Sequence, residues 1–150
     1  MQKYFLMIFK PLLRESEFDG SKLCSASYLA IATCTTFTIF KPSIAIISFF
    51  ILAISDASAS LIGKSIKSEP FFEKSFYGSL AFAVTATIIA IAGGVFFNAS
   101  WLYYIFAIFS ALAIAVIEAR PSLFNLDDNL SIPVGFAMLI TFFDLMWNII

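Results

Sequence analysis

Asp56 interrupts an apolar run, and seven residues later come Gly63 and Lys64. A charged loop follows, then Lys74, Ser75, Gly78 and Ser79 at the start of a second apolar run. A charge inside a membrane-length segment costs roughly 3 kcal/mol or more, so Asp56 marks a candidate functional site. Acids, lysines and glycines gathered at one membrane edge suit a phosphate-bearing ligand. Phosphoryl transfer needs positioning and charge neutralisation more than covalent chemistry. Carboxylates can hold Mg²⁺ through hard oxygen ligands, and Asp56, Glu118 and Asp128 are the candidates. Asp56 could instead accept a proton from a lipid hydroxyl. Lys64 and Lys74 are the candidate phosphate contacts. Gly63, Gly78, Ser75 and Ser79 are the candidate cradle, with Gly78-Ser79 opening a helix whose N-terminus faces the anion. No Walker A pattern is present.

The elements that must position these groups follow from composition. The 150 residues are 61% hydrophobic and only 13% charged, against roughly 25% charged in soluble proteins. Lipid is the expected solvent of one integral membrane domain covering 1–150. A net charge of −1 without a basic stripe excludes nucleic acid as a partner. The absence of histidine excludes His-based catalysis and His–metal sites within the chain. Cys24 and Cys34 show no metal-ligand spacing and read as small apolar residues.

The expected fold is an all-α membrane bundle of about five transmembrane helices with an N-terminal interfacial helix. Residues 1–9 are too short to span and lack a signal-peptide cleavage site. Residues 14–22 form a mixed-charge segment. Spans are expected over about 23–40, 43–62, 78–97, 101–119 and 131–150. Lys41-Pro42, Gly63 and Pro121 are the stops, Asn98-Ala99-Ser100 is a tight turn, and Pro133 sits in a first helical turn. With five spans, Lys3, Lys10, Arg14, Lys22, Lys64, Lys67, Lys74 and Arg120 fall on one side and only Lys41 on the other. The positive-inside rule then makes the N-terminus cytoplasmic, with the cell's inner membrane as the expected location.

The candidate acids share that basic side. Ala53, Asp56, Ala57, Ser60 and Lys64 fall on one helical stripe, and Ala107, Ala111, Ala115 and Glu118 on another. Small residues let membrane helices approach closely, so both acids are expected to point into the bundle. Small-residue stripes occur in any bundle, and the acid on each is what singles these two out. Asp144, beside Trp147 and Asn148, is expected to be solvated at the outer interface.

Taken in order, Asp56, Gly63, Lys64, Lys74-Ser75-Phe76-Tyr77-Gly78-Ser79, Glu118-Ala119 and Asp128-Asn129-Leu130-Ser131-Ile132-Pro133 resemble the dolichol kinase, phytol kinase and CTP-dependent diacylglycerol kinase family. Residues 11–17 resemble the stretch that precedes the corresponding span there. The resemblance implies an enzyme that phosphorylates a lipid alcohol, with CTP as co-substrate and a divalent cation such as Mg²⁺. It places Asp56, Gly63, Lys74, Ser75 and Gly78 in the functional core. Asp56 and Lys74 are then the catalytic pair, and Asn129 joins the nucleotide-binding residues. It also implies a further N-terminal portion, with an Arg-Lys pair, ahead of the part seen here. Ser55 stands where the family usually has glycine, and Tyr77 where it often has an acid.

A phosphatidate cytidylyltransferase-like CTP:lipid transferase is the second reading, although its denser Lys-Asp and Asp-Arg-x-Asp signature is missing. A non-enzymatic carrier or degenerate subunit is the third; a carrier would keep its polar groups near the bilayer midplane. The expected partners are a membrane lipid and a nucleoside triphosphate, with a homo-oligomer left open.

Overall fold

The computed structural model describes residues 25–123 and 127–150. The interfacial helix expected over 1–9, the segment 14–22 and Cys24 lie outside them. Five helices make up the described chain. They are α1 (Ser25–Ile39), α2 (Pro42–Ser65), α3 (Phe76–Phe96), α4 (Trp101–Glu118) and α5 (Asp128–Trp147). The last four are long and apolar enough to cross a membrane, at 24, 21, 18 and 20 residues. The described part of α1 has 15 residues, short of the roughly 20 a span requires.

Local chemistry sets the ends of these helices. Pro42 occupies the first turn of α2, where a missing N–H costs nothing. The Ser75 hydroxyl caps α3 by accepting from the Gly78 N–H at 3.1 Å. Asp127 caps α5, accepting from the Asn129 N–H at 3.0 Å. Asn98, at φ 53°, turns the chain between α3 and α4. Two expected boundaries move. α2 runs through Gly63 to Ser65, so this glycine is no terminator. α5 begins at Asp128, which places Pro133 beyond its first turn. There the proline has no N–H to offer the Asn129 carbonyl one turn earlier.

Two local features are absent from the expected plan. Within α2, Ile51–Asp56 forms a π-helical segment, a wide turn of i→i+5 hydrogen bonds. It rotates the helix beyond it. Ala53 and Ala57, expected to face the bundle, are exposed, and Ser55 and Ala59 take the buried positions. The stripe on α4 needs no such correction: Ala107, Ala111, Ala115 and Glu118 are all buried.

The second feature is a hairpin, β1 (Pro70–Phe71) against β2 (Lys74–Ser75), paired Pro70 to Ser75 and Phe71 to Lys74. Its two-residue turn holds Phe72 at φ 58°, where Gly or Asn is the usual choice. A non-glycine residue in that region costs roughly 1–3 kcal/mol. The hairpin is docked on the end of α4, which offsets that strain. The Glu73 N–H donates to the Ala119 carbonyl at 3.1 Å. Ser122 hydrogen-bonds the Glu73 carboxylate, and the Arg120 guanidinium lies 5.7 Å from the Phe72 ring centre.

The core mixes large and small side chains. Ile44, Ile51, Phe82, Ile114, Phe136 and Ile140 pack with alanines from α3 and α4. Leu145, Phe96 and Trp101 project outward, at 82%, 78% and 70% exposed. That inverted surface is what a lipid solvent selects, since tails are as apolar as leucine.

The candidate site and its charge balance

At the end of the bundle that carries the hairpin lies a cavity of about 710 Å³. Its wall draws on α2 through Asp56, Ser60, Gly63 and Lys64, on the hairpin through Lys74 and Ser75, and on α3 through Gly78. The end of α4 adds Glu118, and the start of α5 adds Asp128 and Asn129. Each acid arrives by a different route. Asp56 ends the wide turn of α2, Glu118 is the last residue of α4, and Asp128 is the first of α5.

One carboxylate oxygen from each of Asp56, Glu118 and Asp128 lies within 4.8 Å of the others. Two like charges at that separation repel by roughly 3 kcal/mol at an effective dielectric of about 20, before screening. Such a group persists only with a counter-charge. Lys74 supplies part of it, its Nζ standing 2.5 Å from Glu118 Oε1 and 2.8 Å from Asp128 Oδ2. Burial opposes the Lys74 ammonium, yet the hydrogen bonds and charges of Asp128 and Glu118 outweigh it and hold its pKa above the usual lysine range.

Three carboxylates gather there, and the Lys74 ammonium touches two of them. Glu118 is 1% exposed, and its second oxygen, Oε2, has no hydrogen-bond partner among the described residues. A buried acceptor left unmade costs about 1–3 kcal/mol. A divalent cation answers both the repulsion and the unmade acceptor. Ligand oxygens on opposite sides of Mg²⁺ stand about 4.2 Å apart, and across Ca²⁺ up to about 5 Å. Three carboxylate oxygens gathered within 4.8 Å, all of them hard donors, are compatible with such an ion.

The two glycines serve helix contact as well as the cavity. A Cβ on Gly63 would stand 2.7 Å from Ser75 Oγ and 3.6 Å from Gly78 Cα. A Cβ on Gly78 would meet the same hydroxyl at 2.7 Å and the Ala59 carbonyl oxygen at 3.0 Å. Their missing side chains let α2 and α3 cross closely and leave Ser75 at the cavity wall.

The other expected residues divide. Lys64 is exposed and lines the cavity. Asn129 lines it too, its side-chain amide donating to Asp127 Oδ1 at 2.8 Å. Ser79 departs from expectation: it is buried and is not part of the cavity wall. One helical position beyond Gly78, it turns about 100° away. Asp127, beside Asp128 in the acidic stretch before α5, lines the cavity as well, and Ser25 joins it, a residue whose type carries no signal.

Asp144 is the clearest correction. It is 5% exposed and lies in an ion pair with Lys41 at 2.7 Å, rather than being solvated.

Four membrane-length apolar helices around a buried polar pocket define a multi-pass helical membrane protein. The chain is similar to the uncharacterized protein RP860 of Rickettsia prowazekii (strain Madrid E). The two are 30% identical over 145 residues, covering 95% of this chain and 70% of that protein. The chain belongs to the same family as that Rickettsia protein. No family model matches it, and no solved structure matches it.

Proposed function

We propose that this protein is a CTP-dependent lipid-alcohol kinase, transferring a phosphoryl group to a diacylglycerol or a polyprenol- or phytol-type hydroxyl at the cytoplasmic face of the membrane. The observation that carries this reading is the meeting of three acids and Lys74 in one cavity at the end of membrane-spanning helices. The resemblance of the ordered motifs to the lipid-alcohol kinases supports the reaction class. The cavity's place at the end of membrane-length helices supports an acceptor hydroxyl on a lipid.

In this reading Asp56, Glu118 and Asp128 hold a divalent cation, which supplies charge neutralisation on the phosphates when bound. Lys64 and Lys74 balance further phosphate charge, and the Ser75 hydroxyl and Asn129 amide orient the nucleotide. The acceptor oxygen attacks the γ-phosphorus while the bond to the bridging oxygen breaks, and CDP leaves. The hydroxyl proton passes to the Asp56 oxygen that the cation does not occupy.

The test is incubation of the protein in lipid with γ-labelled or α-labelled CTP. Lipid labelled from the γ position alone is the expected result, and Asp56→Asn or Lys74→Ala abolishes it. Label from the α position would mean a cytidylyltransferase. No label from either, with folding intact, would falsify both enzyme readings.

A further inference from the structure

We propose that Lys74 is a tethered counter-ion: its ammonium fills the cation position of the acid cluster in the ligand-free protein and yields that position when a divalent cation arrives. This deepens the reading of the three acids as a cation site and rests on it. The motivating observation is that the lysine sits among the candidate ligands and not beside them. Its Nζ touches Glu118 Oε1 at 2.5 Å and Asp128 Oδ2 at 2.8 Å, two of the three acids whose oxygens gather within 4.8 Å. A cation bound to those carboxylates would stand close to a second positive charge.

Two observations make exchange the expected response. The backbone at Lys74 is pinned, through the pairing of Phe71 with Lys74 and the bond from Glu73 to Ala119. The side chain is long, ends in a compact charge and lines an open cavity, so it can leave by rotation about its own bonds. Glu118 Oε2 is the second observation. It is buried without a hydrogen-bond partner among the described residues, so the ammonium leaves the cluster incompletely satisfied. Released, the ammonium remains at the cavity wall, where it can meet phosphate.

The exchange predicts that the lysine suppresses metal binding in the nucleotide-free protein. With the ammonium seated nine times in ten, apparent metal affinity falls about ten-fold. The experiment titrates the full chain in nanodiscs with Mn²⁺ alone, read by electron paramagnetic resonance. Lys74→Gln is expected to bind Mn²⁺ about ten-fold more tightly than the unaltered protein. Lys74→Arg, whose planar fork holds carboxylates bidentately, is expected to bind it no better than the unaltered protein. Glu118→Gln, checked for helicity and monodispersity, is expected to lose binding.

Equal or weaker binding by Lys74→Gln, with Glu118→Gln inactive in binding, overturns the exchange and leaves the acid site standing. No Mn²⁺ binding by any form overturns both. Because the titration uses no CTP and no lipid, its result is independent of whether the protein transfers phosphate.

Discussion

The two ends of the bundle each set a lysine against a buried acid, and they satisfy that acid differently. At the end away from the cavity, Lys41 pairs with Asp144 at 2.7 Å and donates to the Ile150 carbonyl at 2.7 Å. The Ile150 N–H returns to the other Asp144 oxygen at 3.0 Å, and the Ser100 N–H donates to the Ile149 carbonyl at 2.9 Å. One cation meets one anion there, and both carboxylate oxygens are used. At the cavity end Lys74 bridges Glu118 and Asp128, and the buried Glu118 Oε2 has no hydrogen-bond partner among the described residues. A balanced cluster is a clasp that holds chain segments together. The other cluster opens on a cavity.

The contrast breaks most sharply under neutralisation of one acid at each end. Glu118→Gln is expected to lower lipid phosphorylation by at least about 100-fold, the scale of losing an electrostatic contact in a transition state. Asp144→Asn is expected to leave the rate per folded molecule within about three-fold, since that end touches no reacting atom. Initial rates normalised to folded protein decide the matter, and comparable losses would erase the distinction.

A smaller effect concerns stability. Lys41→Met strands the Asp144 charge, and breaking a buried pair costs about 3–5 kcal/mol. Because Lys41 is itself 48% exposed, the expected loss is nearer 2 kcal/mol. Adding Asp144→Asn to Lys41→Met should restore much of it, as read by thermal unfolding in detergent.

The smallest expected effect sharpens the geometry of the cavity wall. Gly63→Ala and Gly78→Ala each meet Ser75 Oγ, and overpacking costs about 1–3 kcal/mol. Ser75→Ala should relieve the first variant more than the second, because only Gly78 also faces the Ala59 backbone carbonyl. Unfolding of the two double variants tests this ordering.

Much of this plan was legible in the residues. Apolar length marked the four long helices, and the alanine stripe ending at Glu118 marked the inward face of α4. Asp56 stands out because a charge in an apolar run is costly. What escaped has physical reasons. Strands of two residues are too short to show alternation, and a turn of Phe72-Glu73 contains neither Gly nor Asn. The wide turn at 51–56 leaves no mark in residue type, so the α2 stripe holds for Asp56, Ser60 and Lys64 but not for Ala53 and Ala57. On α3, Ser79 lies off the expected cradle because neighbours in sequence point about 100° apart on a helix. Asp144 was misplaced because its partner, Lys41, lies 103 positions earlier in the chain, beyond any local pattern.

The wide turn in α2 has one consequence for the length of the chain. Rewinding Ile51–Asp56 as ordinary α-helix with no residue removed would swing everything after it by about 100°, and removing one residue as well would bring it back. Without that removal, Asp56, Ser60 and Lys64 would rotate off the cavity wall together, while the packing of Ile44 and Ile47 would stay as it is. The two halves of this helix are thus geared to each other, and the gear ratio is set by one surplus residue.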